Sequence, residues 1–346
     1  MFGSLRFFLT YLVVLSHLVG SGVTHHLGTY AVCGFFVVSG FVITLALNEL
    51  YRFDGVRFAT NRLLRLLPPY YIVCAATLAV IGWFPDATGA FMKLWQPEVR
   101  AADVLMNLLV LPMEGPELVF RIVPPYWSVA IEFVMYFMLW LVIGRRMEFA
   151  VIMVVAGIAY HAFALGAGWP WEARYFTSPS ALLAFSLGAL VYFLRQGRHL
   201  GVGPRTAAVA FVVWLANLAV AVAMPPDAYL LGAGFYIGIL CFVAIVAGLA
   251  DCKLPVWAGT IDDALGTLAY PVFLLHWLVA FGVHAALLPA NPRGWALTLV
   301  ATPPLLVAAY GLAHLHERLI EPLRRRVRRD AVAGVEVGPA GSAAVA

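Results

Sequence analysis

The stretch GTYAVCGFFVVSGFVITLAL, Gly28 to Leu47, runs for 20 residues without a charged side chain. An α-helix rises about 1.5 Å per residue, so this stretch spans the roughly 30 Å hydrocarbon core of a bilayer. Working outward, comparable apolar segments fall at roughly 5–22, 67–84, 124–143, 149–168, 178–195, 205–224, 229–250, 265–289 and 295–317. With 28–47 they make ten. The composition agrees: 63% of the 346 residues are hydrophobic and 12% are charged, with a mean hydropathy of +0.89. A soluble domain carries about 25% charged residues, and half that density cannot coat a water-facing surface of this size. The expected fold is all-α, a polytopic transmembrane helical bundle of about ten spans.

Charge placement orients the bundle. With the N-terminus cytoplasmic, 17 of the 22 Lys and Arg residues fall on the inner side, from Arg6 through Arg62, Arg65, Arg145 and Arg195 to Arg329. Five fall outside: Lys93, Arg100, Arg121, Arg174 and Arg293. The positive-inside rule then places both termini in the cytoplasm, and an odd number of spans would spoil the partition. The chain divides into a transmembrane domain, 1–322, and a tail, 323–346, basic at first and then unstructured in the small-residue run after Asp330. The apolar N-terminal stretch reads as a retained first helix rather than a signal peptide. The four cysteines form no C-x-x-C pair and suggest neither a disulfide framework nor a zinc site. No basic patch with interleaved aromatics points to nucleic acid.

A charge at mid-membrane costs about 2.5–3.5 kcal/mol on the insertion scale, so polar residues inside spans are where chemistry is sought. The first span reads Arg6-FFLTYLVVLS-His17; eleven residues are close to three turns, which puts both side chains on one face roughly 16 Å apart. The alternative is a snorkelling arginine and a packed histidine. In the second span Ser39-Gly40 sits halfway, where small residues let backbones approach. The connection YRFDGVRFATNRLLRLLPPYY carries Arg62 and Arg65 on one helical face before Pro68-Pro69. They suit a phosphate grip or, alternatively, attraction to anionic lipid.

The fourth span opens PPYWSVAIEFVMYF. Glu132 lies about 12 Å below its far end, and an intramembrane carboxylate must be protonated, paired or hydrated. Trp127 and Ser128, at the head of that helix, are candidate substrate contacts. The ninth span, LGTLAYPVFLLHWLVAF, carries His276. On this topology His17, Glu132, His276 and Ser39 fall at comparable depths, and two imidazoles with a carboxylate are what a base and its orienting partner require. His17, Glu132 and His276 are therefore the candidate catalytic residues. His161 and His284 have no companion signal. His314 and His316 face apart and suggest no metal site. Trp83, Trp95, Trp127, Trp169, Trp171 and Trp295 fall near outer boundaries, as an aromatic belt would.

The Arg6-x10-His17 helix, GFFVVSGF, NRLLRLLPPYY, WSVAIEF and LAYPVFLLHW, in that order, resemble the membrane acyltransferase type 3 family of polytopic enzymes. HERLIEPLRRR resembles its closing segment, and the likeness covers residues 5–325. It implies transfer of acetyl or another short acyl group from acyl-CoA, a co-substrate, with no resident cofactor. The acceptor would be a hydroxyl on a glycan, glycolipid or secondary metabolite, and the location a bacterial inner membrane in contact with lipid. By matching positions, Arg6 and His17 correspond to the family's paired essential residues, and Arg62 and Arg65 to its cytoplasmic Arg-x-x-Arg; His17 would act at the acyl carbon as general base or as transient acyl carrier, with Glu132 or His276 fixing its tautomer. Ala130 and Ile131 stand where a second polar residue is common, and no hydrolase-like domain is fused within the given sequence. Arg6, Ser39, Arg62, Arg65, Trp127 and Ser128 are thus the candidate substrate-binding residues, with Arg57 a further candidate for the phosphates. The segment 85–123, with Trp95, Glu98, Glu114, Glu117 and Arg121 and a short helix near 101–111, is the candidate acceptor lid. Physics alone leaves a transporter or flippase for a lipid-linked sugar or small polar molecule as the competing reading.

Overall fold

Long runs of apolar residues must close their backbone hydrogen bonds internally when water is absent, and the chain does so as helices throughout. A computed structural model describes residues 2–20, 24, 26–95, 99–112, 120–197, 202–224, 229–290 and 293–336. Ten helical segments are long and apolar enough to cross a membrane: Phe2–Val19, Leu27–Leu50, Gly55–Trp83, Tyr126–Ile143, Met147–Gly166, Trp171–Gln196, Pro204–Ala221, Leu231–Leu249, Val256–Leu287 and Trp295–Leu319. Each overlaps one of the ten segments expected from the sequence. No strand occurs among the described residues.

The helices used below are α1 (Phe2–Val19), α2 (Leu27–Leu45), α3 (Gly55–Trp83), α4 (Pro85–Phe91), α5 (Ala101–Leu109), α6 (Tyr126–Met138), α7 (Met147–Gly166), α8 (Trp171–Tyr175), α9 (Ser178–Gln196), α10 (Pro204–Ala223), α11 (Phe235–Leu249), α12 (Val256–Leu287), α13 (Trp295–Leu319) and α14 (Glu321–Glu336). Residues near the start of α1 and residues of α14 line the same cavity, so both ends of the described chain lie on one side of the bundle. We call this side the basic end and the opposite one the far end.

Two helix starts lie well before the sequence boundaries. Helix α3 begins at Gly55, not near residue 67, so Arg62 and Arg65 sit inside a helix rather than a loop. The Asp54 side chain caps it, accepting from the Arg57 backbone N–H at 3.0 Å. Pro68 and Pro69 suggested a boundary because proline has no N–H to give the carbonyl four residues back. The structure compensates: His316 Nε2 donates to the stranded Leu64 carbonyl at 3.0 Å, and the helix runs through. Helix α12 likewise begins at Val256.

Helices α1 and α12 run parallel with a constant offset. The Asp262 carboxylate accepts from the backbone N–H groups of Gly3 at 3.1 Å and Ser4 at 2.8 Å, satisfying two orphan donors at the start of α1. A Cβ on Gly3 would lie 1.9 Å from the Asp262 carbonyl oxygen, so only glycine permits this approach. Gly40 of α2 plays the same part against α9, where a Cβ would meet the Phe185 carbonyl at 2.2 Å. This is the close backbone packing that Ser39-Gly40 suggested.

The described parts of the segment 85–123, the candidate acceptor lid, pack against the bundle. Trp95 is buried, its indole N–H donating to the Ile122 carbonyl at 3.0 Å. Asn107, also buried, donates to the carbonyls of Asp103 and Phe120 and accepts from the Ile122 N–H. Trp95 is thus anchored within this packing. Glu98, Glu114 and Glu117 lie outside the described residues. The tail packs on the bundle through α3 and α13 and is helical as far as Glu336, so 331–336, expected to be unstructured with the rest of the run after Asp330, continue the helix; residues 337–346 lie outside the described residues.

Candidate functional site

Fourteen residues above the Gly3–Asp262 contact, on both helices, stand His17 and His276. Fourteen residues are close to four full turns, so the contact made at the basic end returns on the same faces about 21 Å higher. There His17 Nδ1 and His276 Nε2 lie 2.9 Å apart, the rings stacked at 18° with centroids 5.1 Å apart. His276 is fully buried, and its Nδ1 lies 2.7 Å from the Phe273 carbonyl oxygen.

Those distances fix the tautomers of a neutral pair. A carbonyl only accepts, so His276 Nδ1 carries hydrogen and its Nε2 carries a lone pair. That lone pair takes the Nδ1–H of His17, and Nε2 becomes the basic nitrogen of the His17 ring. The partner expected to orient His17 was either Glu132 or His276; the geometry brings His276.

Glu132 sits elsewhere. Its carboxylate accepts from Ser39 Oγ at 3.0 Å and from the Tyr136 phenol at 2.8 Å, and it lines a cavity at the basic end shared with Arg6, Arg62 and Arg65. The common depth inferred for His17, Glu132, His276 and Ser39 is thus not what the structure shows. The reason is the entry to α6. Phe120, Ile122, Val123 and Tyr126 are all buried, so the helix starts beneath the 85–123 cap rather than at the surface. Counting down from a surface start placed Glu132 too high.

Two cavities flank the histidine pair. The basic one has a volume of about 870 Å³ and carries Arg6, Arg62, Arg65 and, from α14, Arg324, Arg325 and Arg328. Arg62 is buried, with its guanidinium over the Phe58 ring and its Nε lacking a hydrogen-bond partner. Arg324 Nε is likewise buried and unpartnered. Asn61 Oδ1 accepts from Arg324 at 3.4 Å, which ties α14 to α3. Glu321 holds Arg324, Arg325 and Arg328 as a cluster. Although burial works against its charge, the hydrogen bond from Arg328 and the charges of Arg324, Arg328 and Arg325 keep its carboxyl below the usual carboxylate range. Burial and the nearby Arg65 lower the Arg324 pKa to about 10. Arg57 pairs with Asp54 and does not line the cavity.

The far cavity, about 450 Å³, is lined by His17 together with Phe91, Trp127, Phe176, Trp277, Lys93, Arg121 and Arg293. The two spaces approach each other at the head of α6, where Trp127 lines the far cavity and Ser128 the basic one. Ser128 Oγ donates to the Pro125 carbonyl at 3.2 Å. Phe273, whose carbonyl holds His276, lines the basic cavity, while Trp277 lines the far one.

His161, within α7, is satisfied in place. Buried His161 has its Nε2 3.0 Å from the Ser180 carbonyl and its Nδ1 3.1 Å from the Tyr236 hydroxyl. Sequence reasoning left out the α14 arginines, Tyr136, Trp277 and Arg293. The run RRR in the closing segment was the available signal for the first of these; it read as a basic tail because nothing local shows a helix folding back.

A family model described as an acyltransferase domain, that of the type 3 acyltransferases, matches residues 3–314. A relative in Komagataeibacter xylinus, named putative membrane-bound transacylase BcsY, is 27% identical over 286 residues, covering 73% of this chain and 69% of its own length. No solved structure matches the chain. The match over nearly the whole bundle places the protein in the type 3 acyltransferase family, as a multi-pass membrane acyltransferase.

Proposed function

We propose that the protein transfers an acyl group, acetyl in the simplest case, from cytoplasmic acyl-CoA to a carbohydrate or related hydroxyl presented at the far end. One observation carries this reading: the basic nitrogen of His17 belongs to a ring that lines the far cavity, while its other nitrogen is held by His276. An imidazole held on one edge by a second histidine and lining a cavity is placed as a general base would be.

The basic cavity suits the donor. Acyl-CoA is polyanionic, and Arg62, Arg65, Arg324 and Arg328 come from two helices to one space, with the Nε donors of Arg62 and Arg324 unpartnered. Bidentate guanidinium contacts to phosphate would satisfy them. The pantetheine arm then passes Arg6 and the Ser39–Glu132–Tyr136 cluster toward His17. On this reading Glu132 tunes the arm's channel and Arg6 rather than the base.

The transfer balances simply. His17 Nε2 takes the proton of the acceptor hydroxyl as its oxygen attacks the thioester carbon. The tetrahedral intermediate collapses, the C–S bond breaks, and the imidazolium returns its proton to the departing CoA thiolate. The products are an ester and free CoA thiol. General base catalysis contributes about 10²–10⁴-fold. His17→Ala should therefore lower CoA thiol release by the purified protein by that order, with acyl-CoA binding retained. Turnover at the wild-type rate would remove His17 from the mechanism.

A further inference from the structure

Cations are scarce at the far end, yet they converge there. Of the five Lys and Arg residues assigned to that side by sequence, Lys93, Arg121 and Arg293 all line the far cavity. They arrive from three separate segments. The Arg121 backbone N–H donates to the Leu94 carbonyl at 3.1 Å, which fixes it beside the turn that carries Lys93. The other two are engaged elsewhere: Arg100 with Asp103, and Arg174 with the Leu231 carbonyl and the Trp171 ring.

Among the described residues no carboxylate is paired with any of the three, and no Asp or Glu lines the cavity. Burial lowers the Arg121 pKa, and its Nε has no hydrogen-bond partner. The Trp277 indole N–H, in the same lining, is also buried and unpartnered. Both orphan groups are donors, so what would complete the site is a set of acceptor oxygens with negative charge. Arg293 stands 5.1 Å over the Trp277 ring, and Trp277 stacks on His17 with centroids 5.5 Å apart. A group held by Arg293 thus lies one aromatic ring away from the imidazole. Around these cations Trp127, Phe176 and Phe91 supply flat apolar faces, a lining suited to the C–H faces of a sugar ring.

We propose that the far cavity binds an acceptor sugar bearing an anionic group, a carboxylate or a phosphate, which Arg121, Arg293 and Lys93 grip while a neighbouring hydroxyl meets His17. The proposal rests on the reading of this cavity as the acceptor site. A neutral sugar would bring no charge to the buried, unpartnered Nε of Arg121.

The test uses the full chain in nanodiscs of neutral lipid and reads tryptophan fluorescence, since Trp127 and Trp277 line the cavity. The probes are a neutral glucose trisaccharide, a glucuronic acid trisaccharide and a phosphorylated glucose trisaccharide. At least one anionic probe should bind about tenfold or more tighter than the neutral one, with an advantage that shrinks as salt rises. Which one binds separates carboxylate from phosphate. Arg121→Gln and Arg293→Gln should each reduce the advantage, and together abolish it. Acetyl-CoA binding, measured in parallel, should be unchanged and so report an intact fold. Equal affinity for charged and neutral probes, no binding of either anionic probe, or a preference that survives the double substitution would overturn the proposal. Acyl transfer to these sugars is scored separately. Transfer without charge preference would leave the acyltransfer reading standing and this one refuted. Charge-selective binding with no transfer from acetyl-CoA to any probe would do the reverse.

Discussion

His17 is chemically ordinary until its neighbour is considered. An isolated imidazole can present either nitrogen. Here the Phe273 carbonyl sets His276, and His276 sets His17. His276 touches no proposed substrate, so its role is positioning, and substitutions should separate accordingly. His276→Leu removes the acceptor for the His17 Nδ1–H and should lower kcat by about tenfold or more with KM for acyl-CoA unchanged, because an unmet buried hydrogen bond costs about 1–3 kcal/mol. His276→Gln keeps a carbonyl oxygen near the same place and should recover part of that loss. Equal loss in both, or a rise in KM instead, would argue for packing alone. The sequence offered His17, Glu132 and His276 as a set, but side-chain direction and the buried entry to α6 decide which of them meet. Neither can be read from hydropathy.

At the scale of elements, the histidine pair depends on a contact four turns away. Gly3 and Asp262 lock α1 to α12 at the basic end, and the shared offset carries that register to His17 and His276. Asp262→Ala should cost about 1 kcal/mol through the lost cap, read as a lower Tm in detergent. Gly3→Leu forces a Cβ against the α12 backbone and should cost about 1–3 kcal/mol, with a loss of turnover disproportionate to the loss of folded protein. Unchanged activity in Gly3→Leu would mean that register is set elsewhere. Helix α14 makes the opposite point: an element classed as a tail supplies three of the basic cavity's arginines. Replacing Arg324 and Arg328 with Gln should raise KM for acyl-CoA about tenfold and spare an acyl-pantetheine donor, which lacks the nucleotide phosphates. Its helical span was legible in LIEPLRRR only after the fact, because α14 is polar on most faces and its position is decided by Glu321 and Asn61 rather than by burial of an apolar stripe.

For the whole molecule, span count and placement were readable because the membrane imposes one strong constraint, about 20 apolar residues per crossing. Boundaries failed where charged or proline-containing turns remain helical, at 55–66 and 256–264, since the bundle itself satisfies the backbone there. The distribution of arginine gives the molecule its polarity: a wide cationic vestibule at one end, a smaller aromatic cavity at the other, and the histidine pair between. On the proposed function, the donor is drawn from one side and the acceptor from the other. The most direct measurement places the protein in proteoliposomes with its basic end inward, labelled acetyl-CoA sealed inside and sugar acceptor outside. The account predicts labelled ester outside, CoA thiol retained inside, and both products formed about 10²–10⁴-fold more slowly with His17→Ala. Ester formed at an undiminished rate by His17→Ala, or only when acetyl-CoA is added outside, would contradict it.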